Sequence, residues 1–237
     1  MFKVDSSWQG IINKALNNLD DSYLDFLQND KEYFPNKTNF LNAFKTLSLK
    51  DTKYILFGQD PYPRSESAIG YAFIDGAVSS IWDEKNGLSK EVNKATSLRN
   101  FMKMLLVDEG KLEVNNTSKE AIAKLDRSEY IQSMNQFKNN FEKNGVLLLN
   151  TALIFTTKEE SKKHVKLWKP FVISLLRQIK EENIKLILFG SLAKDIDKLD
   201  VSENFEKFYC EHPYNVSFIL NKNVQKLFGQ MKLLDKC

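Results

Sequence analysis

Past the apolar run Tyr54-Ile55-Leu56-Phe57 the chain reads Gly58-Gln59-Asp60-Pro61-Tyr62-Pro63, an amide and a carboxylate set between a glycine and two prolines. Proline fixes φ, so Pro61 and Pro63 stiffen the backbone on either side of Tyr62. Gly58 lets the backbone turn or approach a ligand closely. A carboxylate fixed just beyond a buried strand sits where an α/β enzyme keeps its chemistry. Asp before Pro is also common turn chemistry, and these residues alone leave both readings open. Three more polar residues follow apolar runs in the same way: Asn150, Ser191 and His212. In an open α/β sheet the carboxyl ends of the strands face one crevice, so this convergence favours a site over four separate caps.

The elements that would carry these residues are legible as hydrophobic patterns. Unbroken apolar runs at 54–57, 146–149 and 186–189 suit strands buried on both faces, and 207–211 reads as a fourth. Helical periodicity appears in Trp8, Ile11, Ile12, Ala15 and Leu16 behind Ser6-Ser7, and in Phe40, Leu41, Phe44 and Leu47 behind Thr38. Further helices are expected from Ser97, through much of 107–144 up to Gly145, from Pro170 in a favoured first-turn position, after Ser191, and around Val224 to Leu234. Residues 75–95 and 156–164 read as loops. Strands alternating with helices predict an α/β fold: a central four-stranded parallel sheet flanked by helices on both faces, an α/β/α sandwich. No repeat or linker interrupts 1–237, so one domain is expected.

Composition sets the limits. Of 237 residues, 42% are hydrophobic, enough for a substantial core, and 34 basic against 31 acidic residues give a net charge of only +3. Any surface for nucleic acid must therefore be local. Two cysteines, Cys210 and Cys237, without CxxC spacing, point to reduced thiols in a cytosolic or nuclear setting, and a cytoplasmic protein is expected. Two histidines, and a Cys210–His212 spacing unlike a zinc motif, predict no metal, and no cofactor is expected. No apolar run nears the ~20 residues of a membrane span, so no membrane partner is expected.

The motifs in series resemble uracil-DNA glycosylase of the family-one type. Gly58 to Tyr62 read as the family's GQDPY, and Gly145 to Leu153 are very close to its GVLLLN strand. Gly70-Tyr71-Ala72-Phe73, Ser97-Leu98-Arg99-Asn100, His164 with Trp168, Gly190-Ser191, and His212-Pro213 with Ser217 stand where the family has its remaining motifs. The resemblance implies a metal-free, monomeric DNA-repair hydrolase that cleaves the N-glycosidic bond of uracil and leaves an abasic site. By the same resemblance Asp60 faces the sugar and His212 donates to uracil O2. Asn150 reads the base edge, Phe73 stacks on it, Tyr62 closes the space beside C5, and the Gln59 backbone touches the base. Ser97, Ser191, Tyr214, Val216 and Ser217 fall at DNA-contacting positions, with Val216 in place of an intercalating Leu.

Departures cluster outside the base pocket. Pro63 replaces the final His of GQDPYH, Arg64-Ser65-Glu66 replaces a glycine-proline-glycine stretch, and Tyr214-Asn215-Val216 replaces Ser-Pro-Leu. The wedge loses one methylene, roughly 0.8 kcal/mol of apolar burial. Uracil excision with weaker duplex handling is expected, single-stranded DNA being the better substrate and duplex a second one. Protein inhibitors of the family are candidate partners. Two competing readings are a weak or inactive relative serving as a DNA-binding or partner-docking module, and a nucleoside hydrolase.

Overall fold

The computed structural model describes residues 2–29 and 32–236; Cys237 lies outside them. In chain order the elements are α1 (Ser6–Leu16), α2 (Asp21–Asn29), α3 (Ala43–Thr46), β1 (Tyr54–Gly58), β2 (Trp82–Asp83), β3 (Gly87–Leu88), α4 (Lys90–Lys94) and α5 (Thr96–Asp108). There follow α6 (Lys119–Ala123), α7 (Met134–Lys143), β4 (Val146–Asn150), α8 (Ser161–Ile179), β5 (Lys185–Phe189), α9 (Leu192–Asp197), β6 (Lys207–Cys210) and α10 (Lys222–Phe228). The chain divides into two compact units, each drawn from two stretches: Met1–Asp75 with Gly145–Tyr209, and Gly76–Asn144 with Cys210–Cys237.

The first unit holds the parallel sheet, ordered β4-β1-β5-β6, with helices around it. β1 pairs in register with β4 from Tyr54↔Val146 to Gly58↔Asn150, and with β5 from Tyr54↔Lys185 to Phe57↔Leu188. Ile55, Phe57, Leu147, Leu149, Leu186 and Leu188 pack with Trp8 and Ile12 of α1 and Trp168, Phe171 and Leu175 of α8. The alternate residues Leu56, Leu148 and Ile187 are buried as well. That is why these strands read as unbroken apolar runs: a side chain on either face of the pleat leaves water.

In the second unit, α5 presents Leu98, Phe101, Met102 and Leu105 inward. Phe101 sits in an aromatic nest, its ring 4.9 Å from Phe228, 5.6 Å from Phe218 and 6.0 Å from Phe137. Residues 107–144 supply much of this core through Ile122, Ile131, Met134, Phe137 and Phe141. They are less helical than expected, only α6 and α7 forming beyond the end of α5.

Several expected boundaries shift for local reasons. Asp5, not Ser6 or Ser7, caps α1, its carboxylate accepting the Ser7 N–H at 2.9 Å. The Thr38 hydroxyl donates to Asn36 Oδ1, and turns over 37–42 precede the short α3. Residues 75–95 hold the β2–β3 hairpin and α4, both too short to show a period. α5 begins one residue ahead of Ser97, and β6 stops at Cys210. The largest shift is α8, which starts at Ser161 inside the expected loop and runs through Pro170. An interior proline costs a helix about 3 kcal/mol. Complete burial of Trp168, Phe171, Leu175 and Leu176 on the inner face of α8 offsets that cost.

His164 belongs to this framework. It is buried, its Nδ1 2.7 Å from the Tyr23 hydroxyl and its Nε2 2.9 Å from Thr156 Oγ1, and burial holds its pKa below the usual imidazole value. The unfolded chain protonates this ring near pH ~6.5, the folded chain only at lower pH. Stability is therefore full above that value and declines as pH falls below it, because the unfolded state then binds the extra proton. The thermal midpoint is expected to be lower at pH 5 than at pH 7.5, with a smaller difference in His164→Gln. An equal difference in both proteins would remove His164 as the cause.

Candidate active site

In the first unit the site is built on the paired ends of β1 and β4. Asn150 is only 6% exposed and stands directly across from Gly58. A Cβ on Gly58 would lie 2.3 Å from Asn150 Oδ1 and 3.0 Å from Ala72 Cβ, so glycine alone leaves room for the amide. Beyond the pair, the Gln59 carbonyl accepts from the Ala152 N–H at 2.9 Å and from Thr151 Oγ1 at 2.8 Å, and Thr151 N–H donates to Gly58 O at 2.8 Å. These bonds fix the turn that delivers Asp60. The Asp60 carboxylate is half-buried and accepts a hydrogen bond from Ser161 Oγ at 2.5 Å.

Tyr62 and Phe73 complete the predicted base-binding residues of this unit. Tyr62 is half-buried; burial, helped by the Asp75 carboxylate and opposed by Arg64, raises its phenol above the ordinary value, so it stays protonated. Phe73 has φ +68°, a left-handed conformation for a bulky residue. Such strain costs of order 1–3 kcal/mol and persists only where the surroundings impose it. Here Ala72 N–H donates to Leu148 O at 3.1 Å on one side, and the Phe73 ring lies 6.1 Å from that of Phe189. Ser191 is exposed at the start of α9, where a cap was expected, but makes no side-chain capping bond.

The second unit carries the other predicted residues. His212 is exposed, yet its ring is desolvated enough to lower its pKa from the usual imidazole value. Its Nδ1 accepts the Tyr214 backbone N–H at 3.1 Å. An accepting Nδ1 on a neutral ring places the proton on Nε2, so the ring offers an uncharged N–H donor. Asn100, buried on α5, donates through Nδ2 to the carbonyls of Pro213, Tyr214 and Asn215 at 2.8, 3.2 and 3.3 Å, clamping the following loop. Tyr214 and Val216 project from that loop, 65% and 72% exposed. Ser97 is half-buried in the first turn of α5.

Glu211 was not anticipated from sequence. It accepts from Ser217 Oγ, from Asn215 Nδ2 at 3.2 Å and from Asn221 Nδ2 at 3.3 Å, and these bonds, Ser217 foremost, hold its carboxyl below the usual range. A hydroxyl has one proton, so Ser217 must leave Glu211 before it can donate to a phosphate. Asn100 lies inside a quoted motif, but a clamp on three carbonyls more than a hundred residues away has no local signal. Ser161 had none either. Among the described residues no group of three or more His, Cys, Asp or Glu side chains is placed to hold a metal ion.

Residues 44–231 match the model of the uracil DNA glycosylase superfamily. A uracil-DNA glycosylase of Clostridioides difficile is 30% identical over 214 residues, covering 87% of this chain and 80% of that protein. A crystal structure of UNG from Nitratifractor salsuginis is 49% identical with a TM-score of 0.96, covering 99% of this chain and 94% of that one. A mimivirus UNG variant solved in complex with UGI shares the fold, with a TM-score of 0.58 at 14% identity over 90% of this chain and 71% of its own.

Proposed function

The chain belongs to the uracil DNA glycosylase superfamily and is an enzyme that removes uracil from DNA, and we propose how its residues divide that work. Breaking the bond between C1′ and N1 leaves positive charge on the sugar and negative charge on the base. The fixed Asp60 carboxylate stabilises the first and accepts the proton of the attacking water. The Nε2–H of His212 stabilises the second at uracil O2. Because that donor is a neutral imidazole, it keeps its proton and the base departs as an anion stabilised by the hydrogen bond at O2.

Selection of the base falls to Asn150. Its Oδ1 accepts from N3–H and its Nδ2 donates to O4; cytosine presents the reverse pattern and is refused. Phe73 stacks on the ring and Tyr62 fills the space beside C5, against the methyl of thymine. The observation that carries this reading is the buried Asn150 amide, registered to Gly58, whose missing side chain leaves it room two residues before Asp60.

Uracil-containing DNA is the substrate, and we assign single strands as the preferred form, with Ser97, Ser191, Tyr214, Val216 and Ser217 as its contacts. The exposed Val216 wedge is short, and Ser217 is engaged by Glu211. A groove of about 470 Å³ opens beside Gln59 and Thr151, and Lys162, Lys166 and Lys169 rim it without ion-pair partners among the described residues. These lysines supply sequence-independent charge for a flexible backbone. A protein inhibitor of the kind seen with the mimivirus enzyme is a candidate partner for the same DNA-binding loops. Uracil-containing oligonucleotides, followed by alkaline cleavage at abasic sites, test the preference: kcat/KM is expected to be severalfold higher on single strands. Equal or faster excision from duplex would refute it.

A further inference from the structure

Asp60 has a single hydrogen-bond partner among the described residues, and it comes from a distant part of the first unit. Ser161, buried at the first position of the 19-residue α8, donates Oγ–H to Asp60 Oδ2 at 2.5 Å, across 101 positions of sequence. No cation of the described residues lies within ion-pair distance of this carboxylate, so its negative charge is not already neutralised by the protein. The backbone ahead of it is fixed by the Gln59 carbonyl bonds and the side behind it by Pro61. What the backbone does not fix is the plane of the carboxylate, since the terminal torsion of Asp is broad and roughly two-fold.

We propose that Ser161 is the positioning residue of the reaction: it pins Oδ2 and thereby presents Oδ1, with its lone pairs free, to the sugar and the attacking water. The proposal rests on the assignment of Asp60 made above. A charge-assisted O–H···O⁻ bond is short and directional, so one such bond sets the orientation while leaving the other oxygen uncommitted. The start of α8 adds a favourable potential for an anion at that place. The hydroxyl is present before substrate arrives and does not change partner during the reaction. Its benefit is therefore preorganisation of the carboxylate, felt in the chemical step and not in the binding of DNA.

Single-turnover excision from a uracil-containing single strand separates the alternatives. Ser161→Ala is expected to lower kcat about tenfold with KM unchanged, and Ser161→Thr, which keeps the hydroxyl, to restore it to within about twofold. In an Asp60→Asn background the same Ser161→Ala change is expected to cost less than about twofold, because the oriented charge is already absent. The proposal is overturned if Ser161→Ala retains the wild-type kcat while Asp60→Asn is crippled, or if the tenfold loss persists undiminished in the Asp60→Asn background. It is also overturned if the threonine variant is as slow as the alanine one. Full activity of Asp60→Asn alone would instead remove the underlying assignment of Asp60, a result visible without any Ser161 variant.

Discussion

Asp60→Asn is expected to lower the rate of uracil excision about 10³-fold while leaving DNA affinity within a few-fold of wild type. The amide is nearly isosteric and can still accept the Ser161 hydrogen bond, so the turn built by Gly58, Gln59 and Thr151 stays in place. What is lost is a full negative charge opposite a developing sugar cation. Removing one preorganised electrostatic partner of a transition state costs ~10²–10³ in rate, and a full charge belongs at the upper end of that range. The ground state carries no such cation, so binding is spared. Excision measured with enzyme in excess, beside a binding titration on the same oligonucleotide, gives both quantities. A loss shared equally between binding and rate would mean that Asp60 supports the fold or grips DNA, and does not face the sugar.

The second large effect is expected from a single methyl group. Gly58→Ala places a Cβ 2.3 Å from Asn150 Oδ1, closer than any real contact, and 3.0 Å from Ala72 Cβ. Asn150 is on a buried strand end, and relieving this contact turns its amide away from the position that reads N3–H and O4. Losing two such hydrogen bonds, at about 1–1.5 kcal/mol each, amounts to roughly 10²-fold in kcat/KM at 1.36 kcal/mol per decade. Alanine suits a strand at least as well as glycine, so the thermal midpoint should fall only modestly. The control is the double variant: once Asn150→Ala has removed the amide, adding Gly58→Ala should change kcat/KM little. An unchanged kcat/KM in the single variant would show that Asn150 does not read the base from this pose.

The parts of this molecule that sequence reveals are those enforced by burial or by a rigid local backbone. The runs at 54–57, 146–149 and 186–189 stand out because both faces of the sheet are covered, and polar Asn150 is conspicuous at the end of such a run. Glycine and proline mark the turn around Asp60 for reasons of φ alone. Contacts that close over long separations leave no such trace. Ser161 lies in a stretch of Glu and Lys that looks like solvated loop, and its hydroxyl matters only because α8 points it at a carboxylate 101 residues away. Asn100 is equally silent, clamping the loop after His212 from 113 positions away, whereas Glu211 bonds to residues within ten positions, in a loop that carries no period to read. Pro170 misled for the opposite reason. Its local rule is sound, but the buried face of α8 outweighs it.

Both variants presuppose that the paired strand ends of β1 and β4 act on uracil itself. Chromatography of the small molecules released from a single-stranded uracil-containing oligonucleotide tests this directly. The account predicts free uracil, equimolar with alkali-labile sites and absent when cytosine or thymine takes its place. Tight binding of the oligonucleotide with no base released would contradict it.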